Sequence, residues 1–342
     1  MADKIKVGLD ISQTAHIGGV AVYTEELAKE LAKIPDLEMV YFFSSLRKKA
    51  PLFIHGNVKK YKLPPMLFEM LFNRWRNVGI EKFLGPIDIF HSSDWIQPPT
   101  KAKKVTTMHD LVPIIHPEWS HPKIVVVAKR RLALVEKEID CVICVSKSTM
   151  NDLANNSRIP KEKMVVVYEG VGAQFKPQNP TEVSKFKRKM NLPDKFILSI
   201  GGVGDRRNLK RVKETCKNYY LVITGQNIPW IPHEELPLLY ASSKILLYPS
   251  FYEGFGLPIL EAMACGVPVI TSNVSSMPEA GGDAALYVDP NSLEDIQKKL
   301  DEVLEDKDLR DNLIKKGFKQ AKKFSWEKCA EKTAEIYKSV IR

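Results

Sequence analysis

The sequence predicts an α/β protein made of two doubly wound halves, each built on a parallel sheet. Three observations carry that expectation. Short continuous apolar runs recur along the chain, the pattern of strands buried on both faces. They alternate with glycine turns and segments of helical periodicity. Residues 172–194, "GAQFKPQNPTEVSKFKRKMNLPD", then interrupt the pattern with a polar, basic, proline-bearing stretch that reads as a linker, after which the pattern restarts. At 342 residues the chain is long for one core, which agrees with two domains.

The first half opens with "IKVGLDIS" as a strand and "GGVAVYTEELAKELAKI" as a glycine turn into an amphipathic helix, with Leu27, Leu31 and Ile34 on its inner face. "MVYFFSS", "IDIFHSS", "VTTMHDL", "CVICVS" and "MVVVYEG" follow as strands. In the second half "FILSIGG", "YYLVITG", "KILLYPS" and "VPVIT" repeat the pattern, and charged helices after Asn291 and a helix from about Trp326 close it.

Composition narrows the function classes. With 44% hydrophobic and 27% charged residues the chain reads as soluble and globular. It has neither an apolar leader nor a run of membrane-spanning length, and its five cysteines form no framework, so a cytoplasmic protein with reduced thiols is expected. Cys141 and Cys144 form C-x-x-C, but within a strand they would face opposite sides, which argues against a metal or redox pair. Residues 1–200 carry the whole net charge of +10, and residues 201–342 are neutral. Scattered lysines without a recognition pattern argue against nucleic acid and leave an anionic substrate or a peripheral membrane surface. Arg47, Lys48, Lys49 and "NVKKYK" precede "PPMLFEMLFNRWRN", which suits either a membrane interface or, better, a helix packed inside the first domain. No zinc spacing occurs, and Asp306-Lys307-Asp308 reads as a solvated helical face rather than a cation site.

The stretch "FYEGFGLPILEAMACGVPVIT" concentrates the chemistry. Strand, glycine turn, helix and strand follow in order, with Pro258 suited to the first helical position and Gly266 to the stop. A helix start behind glycines offers free N–H groups to a phosphate. Glu253 in the turn and Glu261 in the helix would instead accept hydrogen bonds from hydroxyls on either side of it, which describes a nucleotide sugar. The plain structural alternative, a solvated turn and a dipole-favouring glutamate, stands beside this reading. Gly202-x-Gly204 begins a dinucleotide fingerprint, but Arg207 stands where the third glycine should be, and the next strand ends in Thr224 and Gly225 rather than an acid. Arg206 and Arg207 suit a diphosphate better than NAD. Gly18-Gly19 offers a second phosphate approach, and His109 closes a strand at the edge where such sheets bind ligands.

These residues resemble the family-4 (group 1) retaining glycosyltransferases of GT-B fold. "EGFGLPILEAMACGVPVI" is similar to their E-x7-E signature, and "GGVAVYTEELAKEL", "HDLVPIIHP", "VSKSTMNDL", "VYEGVGAQFKP", "GGVGDRRNLKRV", "EELPLLYASSKILLYPS" and "FSWEKCAEKTAEIYKS" extend the likeness over nearly the whole chain. The resemblance implies two Rossmann-like domains facing a cleft. Residues 1–172 would form an acceptor domain, 173–325 a nucleotide-sugar donor domain, and 326–342 a helix crossing back to the first. Catalysis would fall to His109, Glu253 and Arg207. Gly19, Gly202, Arg206, Arg207, Glu253, Gly254, Phe255, Gly256, Leu257 and Glu261 would bind the donor, Glu253 at the sugar and Glu261 at the ribose.

A hexose, mannose before others, would move with retention and without a metal or other cofactor, from GDP-mannose in preference to a UDP-sugar. The acceptor would be a glycan or lipid-linked intermediate of polysaccharide biosynthesis. A front-face course is implied, in which the leaving diphosphate takes the acceptor proton. Three departures stand out: Arg207 for the usual lysine, Val22 where many relatives have arginine, and a shortened second domain. Only "QNIPWIPH" joins "LVITG" to "EELPLLY", where relatives carry a further helix and strand. A protein that has lost catalysis and serves as a binding or scaffold partner is the alternative class.

Overall fold

Apolar runs too short for helices become parallel strands, because every backbone donor and acceptor is satisfied by a neighbour while both faces are covered. The first sheet contains β1 (Ile5–Asp10), β2 (Leu37–Ser44), β3 (Asn57–Tyr61), β4 (Ile89–Ser92), β5 (Lys103–Met108), β6 (Cys141–Cys144) and β7 (Met164–Val166). Their order is β3-β2-β1-β4-β5-β6-β7, and all pairings are parallel. The second sheet holds β8 (Ile197–Ser199), β9 (Leu221–Ile223), β10 (Ile245–Tyr248), β11 (Val269–Ser272) and β12 (Ala285–Val288), ordered β12-β11-β10-β8-β9 and again parallel. This computed structural model describes residues 4–51, 57–201 and 205–342. It divides into two units, Met1–Gly170 with Trp326–Arg342, and Val171–Ser325.

In each sheet the strand order reverses once, between β1 and β4 in the first and between β8 and β10 in the second. Neighbouring strands there send their following loops to opposite faces and open a crevice at their carboxyl ends. The second sheet has five strands. Between β9 and the helix Leu236–Ser242 the chain forms no strand, only a bridge from Thr224 to Ile228. The shortening read from "QNIPWIPH" therefore leaves β9 at the sheet edge.

In the first unit Phe42, Phe68, Phe72 and Phe83 form a cluster of ring contacts, with Phe72 stacked on Phe68 at 5.5 Å. Phe68 and Phe72 come from "PPMLFEMLFNRWRN", which folds as the helix Pro65–Glu69 running into the π-helical turn Met70–Trp75. The segment is thus an internal packing element that still exposes Met66, Leu67 and Trp75. The helix Pro122–Glu138 sets Leu132 and Val135 against Val142 and Cys144. The helix Trp326–Ile341 belongs to this unit and packs on the helix Gly19–Leu31. In the second unit the helices Leu209–Thr215, Leu293–Glu305 and Lys307–Ala321 bury Val212, Ile296, Leu300, Val303 and Leu313 against Ile245, Leu247 and Ile270.

Several sequence expectations change. Asn57–Tyr61 is a strand at the sheet edge, where Lys59 and Lys60 discourage further pairing. The stretch 172–194 is not a bare linker: it contains the helix Pro180–Lys189, capped by Asn179 and held to the second unit by buried Phe186. The first helix ends at Leu31, which leaves Ile34 outside it. Asp306 is no helical surface residue but the N-cap of the helix Lys307–Ala321, accepting from the Leu309 amide at 2.9 Å. Burial pushes the free Cys141 and Cys144 thiols up to about 11 and about 12, so both stay protonated at neutral pH.

Phe72→Ala removes the ring at the centre of this cluster and is expected to cost about 3–5 kcal/mol. Thermal melting would check this. A melting temperature within a degree of the parent would mean the cluster does not hold the first unit together.

Candidate active site

In the second unit the two loops on either side of the β8/β10 reversal carry the predicted charges. Gly201 leaves β8 so close to the Thr224 carbonyl that an added Cβ would lie 2.1 Å from its oxygen, so only glycine fits there. Gly202 lies outside the described residues. Arg206 and Arg207 follow in a 3-10 turn, Asp205–Arg207. Asn208 then takes a left-handed conformation at φ +55, which asparagine tolerates better than most residues. Its amide donates to the carbonyls of Pro249 at 3.0 Å and Pro290 at 2.7 Å. The Phe251 amide donates to the Arg206 carbonyl at 2.8 Å. The arginine loop is thereby fixed to the loop leaving β10.

Glu253 sits in that second loop and is almost fully buried. Its Oε1 lies 3.1 Å from Arg207 Nε and accepts from Tyr248 Oη at 2.9 Å, while Arg206 stands 3.8 Å from Oε2. Arg207 also donates to Tyr248 Oη and lies over the Tyr248 ring at 4.8 Å. Burial, reinforced by the Glu253 charge and opposed by Arg207, pushes the Tyr248 phenol far up, so it remains a neutral donor. The turn itself is pinned by Ser275, whose hydroxyl donates to the Glu253 carbonyl at 2.6 Å. Ser276 lies 2.8 Å from the carbonyls of both Glu253 and Phe255.

Gly256, at φ +112, then starts the helix Leu257–Ala264, so the first-turn amides of Gly256 and Leu257 follow directly on the carboxylate. Gly254 is half-buried; Phe255 is buried with its ring edge-on to Phe324 at 5.6 Å. Glu261 lies on this helix, nearly buried, and accepts from Tyr240 Oη at 2.7 Å. Glu253 is therefore not the solvated turn residue of the plain structural alternative.

In the first unit His109 directly follows β5, and Glu169 lies just beyond β7. His109 Nδ1 is 3.2 Å from Glu169 Oε1, and the Tyr23 ring meets the imidazole edge-on at 4.5 Å. Burial disfavours the imidazolium, but the carboxylates of Asp94, Glu169 and Asp110 together outweigh it and raise the His109 pKa above the usual 6.5. Beneath it runs a buried chain: Tyr23 Oη to Thr107 Oγ1 at 2.8 Å, Thr107 to His91 Nε2 at 2.8 Å, and His91 Nδ1 to Tyr337 Oη at 2.6 Å. Burial, then His109 and Arg131, hold the His91 pKa down to about 3, so His91 is neutral. Gly19 opens the helix Gly19–Leu31 in an exposed turn behind Gly18 at φ +133.

Thus Arg206, Arg207, Glu253, Gly254, Phe255, Gly256, Leu257 and Glu261 lie in the second unit and Gly19 and His109 in the first. Sequence reading missed Glu169, Tyr23, Asn208, Tyr240 and Tyr248. A polar residue just past a strand's carboxyl end was the available signal for Glu169. The tyrosines sit in apolar runs and look like core.

Two family models match the chain, Glycosyltransferase Family 4 over residues 17–175 and Glycosyl transferases group 1 over residues 151–320. The O-antigen chain mannosyltransferase B of Escherichia coli is 29% identical over 94% of this chain and 96% of its own. Among solved structures, the sucrose-phosphate synthase of Thermosynechococcus elongatus superposes with a TM-score of 0.78 at 18% identity, covering 98% of this chain and 99% of that one. HepE of Anabaena, solved in complex with UDP and glucose, gives 0.72 at 14% identity over 98% of this chain and 100% of that one. The fold is therefore GT-B, two parallel-sheet α/β domains.

Glu169→Gln removes one of the carboxylates that raise the His109 pKa, so that pKa is expected to fall, as read by NMR titration of the imidazole. Because that pKa is raised in the fold, the pair stabilises fully below about 6.5 and the gain is lost as pH rises through the raised value. An unchanged titration would show that Glu169 does not set the charge of His109.

Proposed function

The chain belongs to the group 1 glycosyl transferases, and we propose that it is a retaining, metal-independent hexosyltransferase that moves mannose from GDP-mannose, ahead of a UDP-sugar, to a glycan or lipid-linked acceptor. That it is a glycosyltransferase, with mannose favoured, follows from the family and from its likeness to the O-antigen mannosyltransferase. The observation that carries the finer reading is the group of Arg206, Arg207 and buried Glu253 at the β8/β10 reversal. UDP and glucose bound in HepE support a nucleotide-sugar donor.

In this reading Glu253 and Glu261 accept hydrogen bonds from hydroxyls, Glu253 from the transferred sugar and Glu261 from the ribose. The amides of Phe255, Gly256 and Leu257 and the two guanidiniums receive the diphosphate. Gly202 and Gly254 let the backbone approach, and Gly19 offers amides of the first unit to the same donor. His109, whose pKa its carboxylate neighbours raise, donates to a sugar hydroxyl. The bond from the anomeric carbon to the diphosphate breaks as the acceptor oxygen bonds to the same face, and the departing diphosphate takes the acceptor's proton. The products are the glycoside and a nucleoside diphosphate.

Arg206 and Arg207 supply the positive charge that the leaving group needs, which is the argument for metal independence. Glu253, tied to Arg207 and Tyr248, is a poor nucleophile, which supports the front-face course. Residues 1–172 would then serve the acceptor and 173–325 the donor. Among the described residues no helix is long and apolar enough to cross a membrane. We place the chain in the cytoplasm, with peripheral membrane contact through exposed Leu46, Met66, Leu67 and Trp75 and through exposed Arg47, Lys48 and Lys49.

Calorimetric titration with GDP, UDP and ADP in EDTA tests the donor. GDP should bind, and Glu261→Ala should weaken it about 10- to 100-fold. Glu253→Ala and His109→Ala should lower transfer from the matching sugar nucleotide about 100-fold or more while the fold persists. Unchanged rates in the folded variants would remove these residues from the mechanism, and absence of any nucleotide binding would sink the donor reading.

A further inference from the structure

One hydrogen bond does not orient an imidazole. His109 Nδ1 faces Glu169 Oε1 at 3.2 Å, which leaves Nε2 for a substrate hydroxyl but lets the ring rock about that bond. The second constraint is Tyr23, whose ring meets the imidazole at an interplanar angle of 85° with the centroids 4.5 Å apart. Tyr23 in turn is held twice. The Trp326 ring lies edge-on to it at 5.9 Å, and its hydroxyl is 2.8 Å from Thr107 Oγ1.

Beyond Thr107 the chain continues to His91 Nε2 at 2.8 Å, and from His91 Nδ1 to Tyr337 Oη at 2.6 Å. Tyr23, His91, Thr107 and Tyr337 are all buried. They come from four elements: the helix Gly19–Leu31, β4, β5 and the helix Trp326–Ile341. For stability alone apolar side chains of the same shape would serve nearly as well, because hydrogen bonds between buried groups bring little net gain over those made with water. What a hydrogen-bonded chain adds is direction.

Direction enters at His91. A neutral imidazole donates through one nitrogen and accepts through the other, so its two hydroxyl neighbours must take opposite parts. Burial keeps His91 neutral and the Tyr337 phenol protonated. A phenol is a stronger acid than an aliphatic alcohol and the better donor to a ring nitrogen. Tyr337 therefore donates to Nδ1, and Nε2–H donates to Thr107. Thr107 Oγ1 is thereby set as an acceptor on its His91 side, and its place sets that of the Tyr23 hydroxyl.

We propose that Tyr337 is a positioning residue for His109: its hydroxyl sets the His91 tautomer, His91 orients Thr107, and Thr107 holds Tyr23 against the His109 ring. The C-terminal helix thus acts on the reacting group at one remove, with Trp326 bracing the Tyr23 ring and Tyr337 anchoring the far end of the chain. This rests on the role given to His109 above, but not on the identity of the donor.

NMR of the full chain labelled with ¹⁵N and ¹³C in histidine tests it. In the parent, His91 should show an unprotonated Nδ1 and a protonated Nε2. Tyr337→Phe should disturb that pattern and also shift the His109 ring signals, and Thr107→Val, which cuts the middle link, should shift His109 too. Tyr41→Phe is the control: it removes a buried phenol of the same unit, bonded to the Ala28 carbonyl, and should leave His109 as in the parent. Release of mannose from GDP-mannose in water gives the rate. Tyr337→Phe and Thr107→Val should each lower kcat about tenfold with KM and GDP affinity unchanged, because a small misplacement of a reacting group costs rate rather than binding. Should one variant not fold, the other carries the comparison. The proposal falls if the parent His91 is not held in that one tautomer, if the His109 signals or kcat of the folded variants match the parent, or if Tyr41→Phe has the same effects. A parent that neither binds GDP nor releases mannose would sink the donor reading alone, and the His109 signals would then decide the coupling.

Discussion

Burying a carboxylate without partners is costly, and the second unit depends on the partners gathered around Glu253. Two guanidiniums and a phenol surround it, two serines hold its carbonyl, and Asn208 ties the arginine loop to its own. Such a group adds little net stability, since desolvating the charges offsets most of their attraction. What it fixes is position. The partners come from separate stretches of chain, so the cluster closes only when the loop after β8, β10 and the turn after β11 stand together.

The first unit solves the corresponding problem with a different group. His109 is buried yet charge-favoured, and it remains so because carboxylates face it and a neutral His91 lies beneath. The chain from Tyr23 through Thr107 and His91 to Tyr337 allows the imidazole's neighbours little freedom. Both units thus place an ionisable group at a strand's carboxyl end, and each surrounds it with tyrosines whose own ionisation burial suppresses.

Much of this was legible beforehand, because it rests on local signals. The apolar runs announce strands, and Gly256 and Pro258 announce a helix start. The spacing of Glu253 and Glu261 singled them out because carboxylates are out of place in such a run. What the sequence hid was pairing at a distance. Nothing in "KILLYPS" says that Tyr248 will meet a guanidinium, and Glu169 reads as one more polar residue until β7 is set beside β6. Asn57–Tyr61 escaped as a strand because its lysines mask the alternation, and Ala285–Val288 because four residues are too few to show a period. Helix Pro180–Lys189 was hidden by its charge, with Phe186 its only buried anchor.

The helix Trp326–Ile341 lies at the end of the sequence yet belongs to the unit that begins it. That splits the two units in time as well as in space. The second unit is one uninterrupted stretch and has all its parts once Ser325 has left the ribosome. The first must wait, with His91 lacking Tyr337 and the helix Gly19–Leu31 missing the partner it packs on. During synthesis the half made first is therefore the half finished last, and its exposed helix face is what a chaperone would meet in the interval.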